Sequence, residues 1–279
     1  MPSLFNKQSG FTLVEMIMVI VITGIIGGIV AVFLKAPIQQ YMDVARRAEL
    51  TDIADTAIRR MARDVRIAVP NSVRFTNCTA PCVEFLPTKD GGRYRANPPG
   101  NVLTFGTGGS NIFDIIGTAI NFVAGAAPDY IVIGSTQSDG NPPYDTSVAG
   151  ILRAYTGAAG AQTTVNFTAT ALPIWAELPS QRFDVVDGAQ RAVTYACVGG
   201  GVVNGDGTGN LMRYSNYGFN VAPTSVTPAI LASKVDCTKT SIEYDIPNQR
   251  FGLLAVRLTL TSGGESVSLY NEIHVNNAP

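Results

Sequence analysis

Phe11 to Leu34 read FTLVEMIMVIVITGIIGGIVAVFL, twenty-four residues that hold a single charge, Glu15. At about 1.5 Å of rise per residue the run makes a helix of about 36 Å, enough to cross the hydrocarbon of a bilayer. No charge occurs from Met16 to Leu34, and Lys35 followed by Pro37 marks where the chain is expected to leave the membrane. A cleaved secretory signal fits less well, because its apolar stretch would be about 7–15 residues and would end in a small-x-small site, which LKAPIQQ (Leu34–Gln40) does not offer. The run carries much of the apolar excess of a 279-residue chain that is 46% hydrophobic and 15% charged, against about 25% charged in an average soluble domain. The rest of the chain is long enough for a sizeable core without a metal to hold it. A formal charge of −1 lacks the basic excess that nucleic acid would require. The single histidine, His274, leaves little for imidazole chemistry or a histidine-rich metal site.

Ahead of the run lies MPSLFNKQSG, residues 1–10, in which Lys7 is the one charged side chain. Gly10, Phe11, Thr12, Leu13, Val14 and Glu15 spell G-F-T-L-V-E, and this junction resembles the processing site of the type IV pilin and type II secretion pseudopilin family. The resemblance extends over residues 5–69 and implies a pilin-like α+β fold, a long N-terminal transmembrane helix packed on a large antiparallel β-sheet domain. It further implies that a prepilin peptidase cuts after Gly10 and methylates the new amino terminus at Phe11. Residues 1–10 are then a leader, 11–69 the N-terminal helix (transmembrane over 11–34, amphipathic over 38–69) and 70–279 a β-rich periplasmic domain. The implied partners are the peptidase, other major and minor pilins or pseudopilins, the bacterial inner membrane, a cytoplasmic ATPase and a polytopic platform protein that extracts the subunit into a filament. YACVGG (Tyr195–Gly200), LMRYSNYGF (Leu211–Phe219), Cys237 and the closing HVNNAP are similar to minor pilins of the mannose-sensitive haemagglutinin (MSHA) pilus. J-type minor pseudopilins of type II secretion and PilW-type minor pilins stand close behind, and residues 101–150 match no pattern of either.

Within the apolar run, a carboxylate costs about 2.5–3.5 kcal/mol near mid-bilayer and less toward an interface, so Glu15 calls for a partner. One is the α-amino group that cleavage would create at Phe11, about one turn away in the same or a neighbouring subunit; the alternative is a glutamate at headgroup level with no partner. With the amine, Glu15 would fix register between subunits. Gly24 and Gly28 form a G-x-x-x-G beside Gly27, which either admits another helix backbone or simply loosens this one. Pro37 predicts a kink or local unwinding near the membrane exit.

Positive charge does not set orientation, since Lys7 lies on one side and Lys35, Arg46 and Arg47 on the other. Cys78, Cys82, Cys197 and Cys237 form an even set without zinc-ribbon spacing and read as two disulfides in an oxidising compartment; the alternative is four buried thiols in a reducing one. Of the three connectivities, Cys78 with Cys82 and Cys197 with Cys237 is favoured. After Pro37 an apolar stripe from Ile38 to Val69 continues the helix until Pro70. Its charged face, Arg46 to Asp64, is either solvated or a contact between subunits. Strands are expected at 102–105, 130–133, 151–155, 163–167, 183–186 and 193–198, and a C-terminal hairpin around Gly263-Gly264, with His274 on its polar face beside Glu272. Residues 101–127 and 139–150 read as long loops, with a short helix around 113–122.

No G-x-S-x-G, G-x-x-x-x-G-K-S/T or H-E-x-x-H occurs, so no catalytic residue and no cofactor is assigned. NGDGTGN (Asn204–Asn210) sets oxygen-bearing residues at alternate positions as a calcium loop would, but reads better as a hairpin turn, and no metal is assigned. A tip adhesin is the second class of function, for which Tyr94, Tyr144 and Trp175 are the aromatics that would form a binding surface.

Overall fold

The computed structural model describes residues 10–75, 78, 81–136, 142–147, 149–168, 171–248 and 251–276. Residues 1–9 of the expected leader, parts of the second expected loop and the last three residues of HVNNAP lie outside that set. The chain divides into two compact units, residues 1–49 and 50–279.

One helix, α1, runs Leu13–Arg66. It passes Pro37 without a break, so the unwound turn expected there is absent; Pro37 forgoes only the bond its amide would give to the Phe33 carbonyl. In the second unit α1 buries Leu50, Ala54, Ala57, Ile58, Met61, Ala62 and Val65, the i, i+3, i+4 spacing of one helical face. The helix ends at Arg66 rather than Val69 because the chain turns to pair with residues 86–88. Val69 N donates to Leu86 O at 2.7 Å, and Thr88 N to Ile67 O at 2.7 Å.

Seventeen strands follow among the described residues: β1 (Cys82–Phe85), β2 (Thr88–Tyr94), β3 (Ile112–Ile116), β4 (Ile120–Phe122), β5 (Tyr130–Ile133), β6 (Leu152–Ala154), β7 (Gly160–Gln162), β8 (Thr164–Asn166), β9 (Arg182–Val186), β10 (Val193–Val198), β11 (Val202–Val203), β12 (Asp206–Gly207), β13 (Gly209–Ser215), β14 (Ala229–Val235), β15 (Ser241–Asn248), β16 (Phe251–Ser262) and β17 (Glu265–Asn276). A seven-stranded sheet has the order β1-β10-β13-β14-β16-β15 with β17 on β16, a six-stranded sheet the order β6-β5-β9-β2-β3-β8, and β4-β7 and β11-β12 form two small ribbons. All pairings are antiparallel. The fold is thus α+β, one long apolar N-terminal helix and a large antiparallel sheet domain.

The buried face of α1 shares one core with Val83, Phe85, Tyr195, Leu211, Val235, Leu254, Val256, Leu258 and Ile273 of the larger sheet. A second core, around Tyr94, Phe113, Phe167 and Phe183, belongs to the six-stranded sheet. The helix expected around 113–122 is instead β3 and β4. Phe113 and Ile115, then Ile120 and Phe122, are buried at the two-residue period of a strand, and Gly117 between them sits at φ +128°, which no helix continues through. The expected strand at 102–105 is a loop, because Ser110 Oγ rather than a neighbouring strand takes the Thr104 amide, at 2.9 Å.

Polar ties register helix and sheet. Tyr195 Oη and Arg213 Nε each donate to Asp64 Oδ2 of α1 at 2.8 Å. Arg74, just after the helix, donates through Nε to buried Glu84 Oε2 on β1 at 2.6 Å, and its guanidinium lies 3.4 Å from the centroid of the Tyr144 ring. Tyr217 Oη donates to Glu84 Oε1 at 2.8 Å. Burial lifts the Glu84 carboxyl above its ordinary range, while Arg74 and Tyr217 pull it down.

Candidate functional site: the amino-terminal helix

Chemistry at the start of α1 is built from few groups. Thr12 stands at the N-cap: its Oγ1 accepts the Glu15 amide at 3.3 Å, and its carbonyl accepts the first helical bond from Met16 N at 3.2 Å. Thr12 and Glu15 together spell T-x-x-E, the spacing of a capping box, in which a threonine begins a helix and an acid sits in its first turn. The sequence carried this signal, yet the reading of Glu15 as an assembly residue left Thr12 without a role. Gly10 is exposed, and no atom of the described residues beyond its chain neighbours lies within 4 Å of where its Cβ would be. Phe11 is 83% exposed.

Every large apolar side chain from Phe11 to Leu34 is exposed, as are Ile38, Tyr41, Met42 and Val44. A continuous apolar surface of this size is stable only in lipid or against other protein. Thr23, the hydroxyl in the middle of the run, turns back to the Val19 carbonyl, which satisfies it without water. Gly24, Gly27 and Gly28 likewise have nothing within 4 Å of a built Cβ, leaving an open strip along the helix.

The two disulfides join Cys78 to Cys82 and Cys197 to Cys237, and no cysteine among the described residues is free. Both border one groove of about 960 Å³ between β10 and residues 222–228. Its lining among the described residues includes Pro81, Val198, Tyr214, Pro223, Val226 and Pro228, and offers hydroxyls and apolar surface but no carboxylate, imidazole or amine. Asn204-Gly205 is the turn of the β11–β12 hairpin, Val203 pairing with Asp206, and Asp206 Oδ1 accepts the Gly263 amide at 2.9 Å. The oxygen best placed for calcium is therefore engaged in a turn-to-turn contact, and no cluster of three metal-ligating His, Cys, Asp or Glu occurs among the described residues.

Tyr94 and Tyr144 are 1% and 0% exposed and belong to the cores, so of the three aromatics considered for an adhesive surface only Trp175, 40% exposed, reaches solvent. His274 is exposed on the outer face of β17 next to Glu272.

Residues 5–31 match the family model of the prokaryotic N-terminal methylation motif, the type IV pilin-like processing signal. Comparison with curated proteins and with solved structures finds no match to the chain.

Proposed function

We propose that this chain is a minor type IV pilin of the MshO kind, cleaved after Gly10 and N-methylated at Phe11 by a prepilin peptidase. It is held in the bacterial inner membrane by residues 11–34 with its β-rich domain in the periplasm, and then passes with major and minor pilins, through the assembly platform, into an MSHA-type pilus whose assembly it helps initiate. The observation that carries this reading is the methylation motif set on a helix whose apolar surface is wholly uncovered. Such a helix exchanges lipid for the equally apolar centre of a filament at little net hydrophobic cost. The stretches similar to MSHA minor pilins lend support: Tyr195, Cys197, Arg213, Tyr217 and Cys237 are residues that fasten sheet, helix and disulfide together. J-type pseudopilins and PilW-type pilins are the alternatives for the subgroup, and a tip adhesin a more distant one.

Mass spectrometry of the protein purified from membranes should give an amino terminus at N-methyl-Phe11, and replacing Gly10 with a bulkier residue should leave the leader attached; normal trimming in that variant would refute the cut site. Deleting the gene should abolish surface pili while protein secretion continues. Loss of secretion with normal pili would move the chain to the pseudopilins.

A further inference from the structure

The seven-stranded sheet has three edges, and two of them are guarded. β1 is covered by the segment after the helix, Arg74 N donating to Glu84 O at 2.9 Å and Glu84 N to Arg74 O at 2.8 Å. β15 carries Pro247, which has no amide to give a further strand, and loses register with β16 between Asp245 and Asn248, both features that discourage edge pairing. β17 has neither protection. Its twelve residues, ESVSLYNEIHVN, hold no Pro, Lys, Arg or Gly, pair with β16 without a bulge from Ser262↔Glu265 to Phe251↔Asn276, and have no other strand beside them among the described residues.

The two-residue Gly263-Gly264 turn makes Ser262 and Glu265 the closing hydrogen-bonded pair, so the odd residues of β17 direct their backbone groups to β16. Ser266, Ser268, Tyr270, Glu272 and His274 direct theirs outward. No backbone bond to these five from outside the hairpin is present among the described residues. A long, regular strand of this kind is a template for a further strand.

We propose that the β17 edge takes a second copy of this chain, β17 against β17 in antiparallel register about Asn271. The choice of occupant follows from the side chains. In this register Leu269 faces Ile273 and Val267 faces Val275 of the second copy on the core side. On the outer side Tyr270 meets Glu272, Ser268 meets His274 and Ser266 meets Asn276. Centring on Tyr270 sets Leu269 against Asn271, centring on Glu272 opposes two like charges, and centring on Leu269 or Ile273 buries Asn271 against valine. Centring on Ser268 or His274 also matches apolar with apolar but pairs only seven or five residues of the strand, whereas the Asn271 register pairs residues 266–276, with Asn271 against its own counterpart at the centre. This inference rests on the sheet alone and is independent of the pilin reading.

The test is oxidative cross-linking of the full-length chain, in membranes and in detergent. The described cysteines are all disulfide-bonded, so an added thiol is read cleanly. Across a non-hydrogen-bonded antiparallel pair the two Cα atoms of residue 271 are about 4.5 Å apart, within the reach of a disulfide. Asn271→Cys should therefore give a covalent homodimer, whereas Ser266→Cys, about 33 Å from its counterpart in the same register, should not. Ser268→Pro removes an outward amide that this fold does not use and should weaken the dimer about tenfold, while Ser268→Ala, which loses the same hydroxyl contact to Thr259, should leave it intact. Absence of the 271 cross-link, equal cross-linking at 266, indifference to Ser268→Pro, or capture of a different protein at 271 would each overturn the proposal.

Discussion

Glu15 sits three residues past the Thr12 cap, so in the uncleaved chain its charge already has a stabilising environment in the positive end of the helix. Cleavage would add the Phe11 amine close by and turn a local helix feature into one that a neighbouring subunit can also satisfy. Glu15→Val should thus leave membrane insertion intact, since the run only becomes more apolar, yet lower the number of assembled filaments severalfold. Unchanged filament counts by electron microscopy would remove Glu15 from assembly. A different acid governs pH response in the globular unit: burial on β9 pushes the Asp184 carboxyl up to about 6 from 3.8, with Arg182 pulling the other way. A carboxyl raised on folding keeps its proton longer in the folded state, so its contribution to stability is complete below about pH 4 and is lost as pH rises through about 6. Asp184→Asn should flatten the denaturation midpoint over that interval and raise stability at neutral pH by about 3 kcal/mol. A wild-type midpoint that climbs with pH across the same interval, with the variant unchanged, would contradict this.

The elements differ in how far the sequence reveals them. The β16–β17 hairpin was legible because Leu254, Val256, Leu258 and Leu260 alternate on one strand and Val267, Leu269, Ile273 and Val275 on the other, and a two-glycine turn admits only one register. β5 and β10 were legible for a different reason, as short β-branched and aromatic runs bounded by turn residues, and they are buried along nearly their whole length rather than on alternate positions. Residues 113–122 misled because two three- to five-residue strands separated by a tight turn place apolar residues at spacings that also suit a helix; only the Gly117 backbone separates the readings. The end of α1 was overshot because Ala68 and Val69 continue the apolar stripe while serving a different partner, residues 86–87. At the amino terminus the G-F-T-L-V-E junction is a local signal, and it lies inside the methylation motif matched over residues 5–31. The Arg74–Glu84–Tyr217 tie was not visible, because its members lie 10 and 133 positions apart and only the fold brings them together. A buried pair of this type is costly to break on one side: Arg74→Met should leave Glu84 without its cation and cost about 3–5 kcal/mol, while Arg74→Met with Glu84→Leu should recover most of the loss. Equal unfolding midpoints for the single and double variants would show that Arg74 acts through packing on Tyr144 rather than through charge.

At the scale of the molecule, the two disulfides hold very different lengths of chain. Cys197–Cys237 spans forty positions and locks β10 to the residue pair following β14, across the strand that lies between them; Cys78–Cys82 spans four and fixes only the lead into β1. Closure of the longer loop removes more freedom from the unfolded chain, about 4 kcal/mol against about 2 kcal/mol by chain entropy. The neighbouring backbone is shaped around the longer bond, since a Cβ on Gly209 would fall 2.5 Å from Cys237 Sγ. Replacing Cys197 and Cys237 together by serine should therefore lower the unfolding free energy about twice as much as replacing Cys78 and Cys82. Both variants should also lose the sensitivity to reductant that each bond confers on the parent. Because α1, from Leu50 to Val65, shares its core with the strands that the longer bond ties together, the larger loss should register in near-ultraviolet circular dichroism of Tyr195 and Phe85 as well as in the midpoint. Equal losses from the two pairs would mean that the unfolded chain stays compact around residues 197–237, and that the sheet rather than the bond holds β10 against its neighbours.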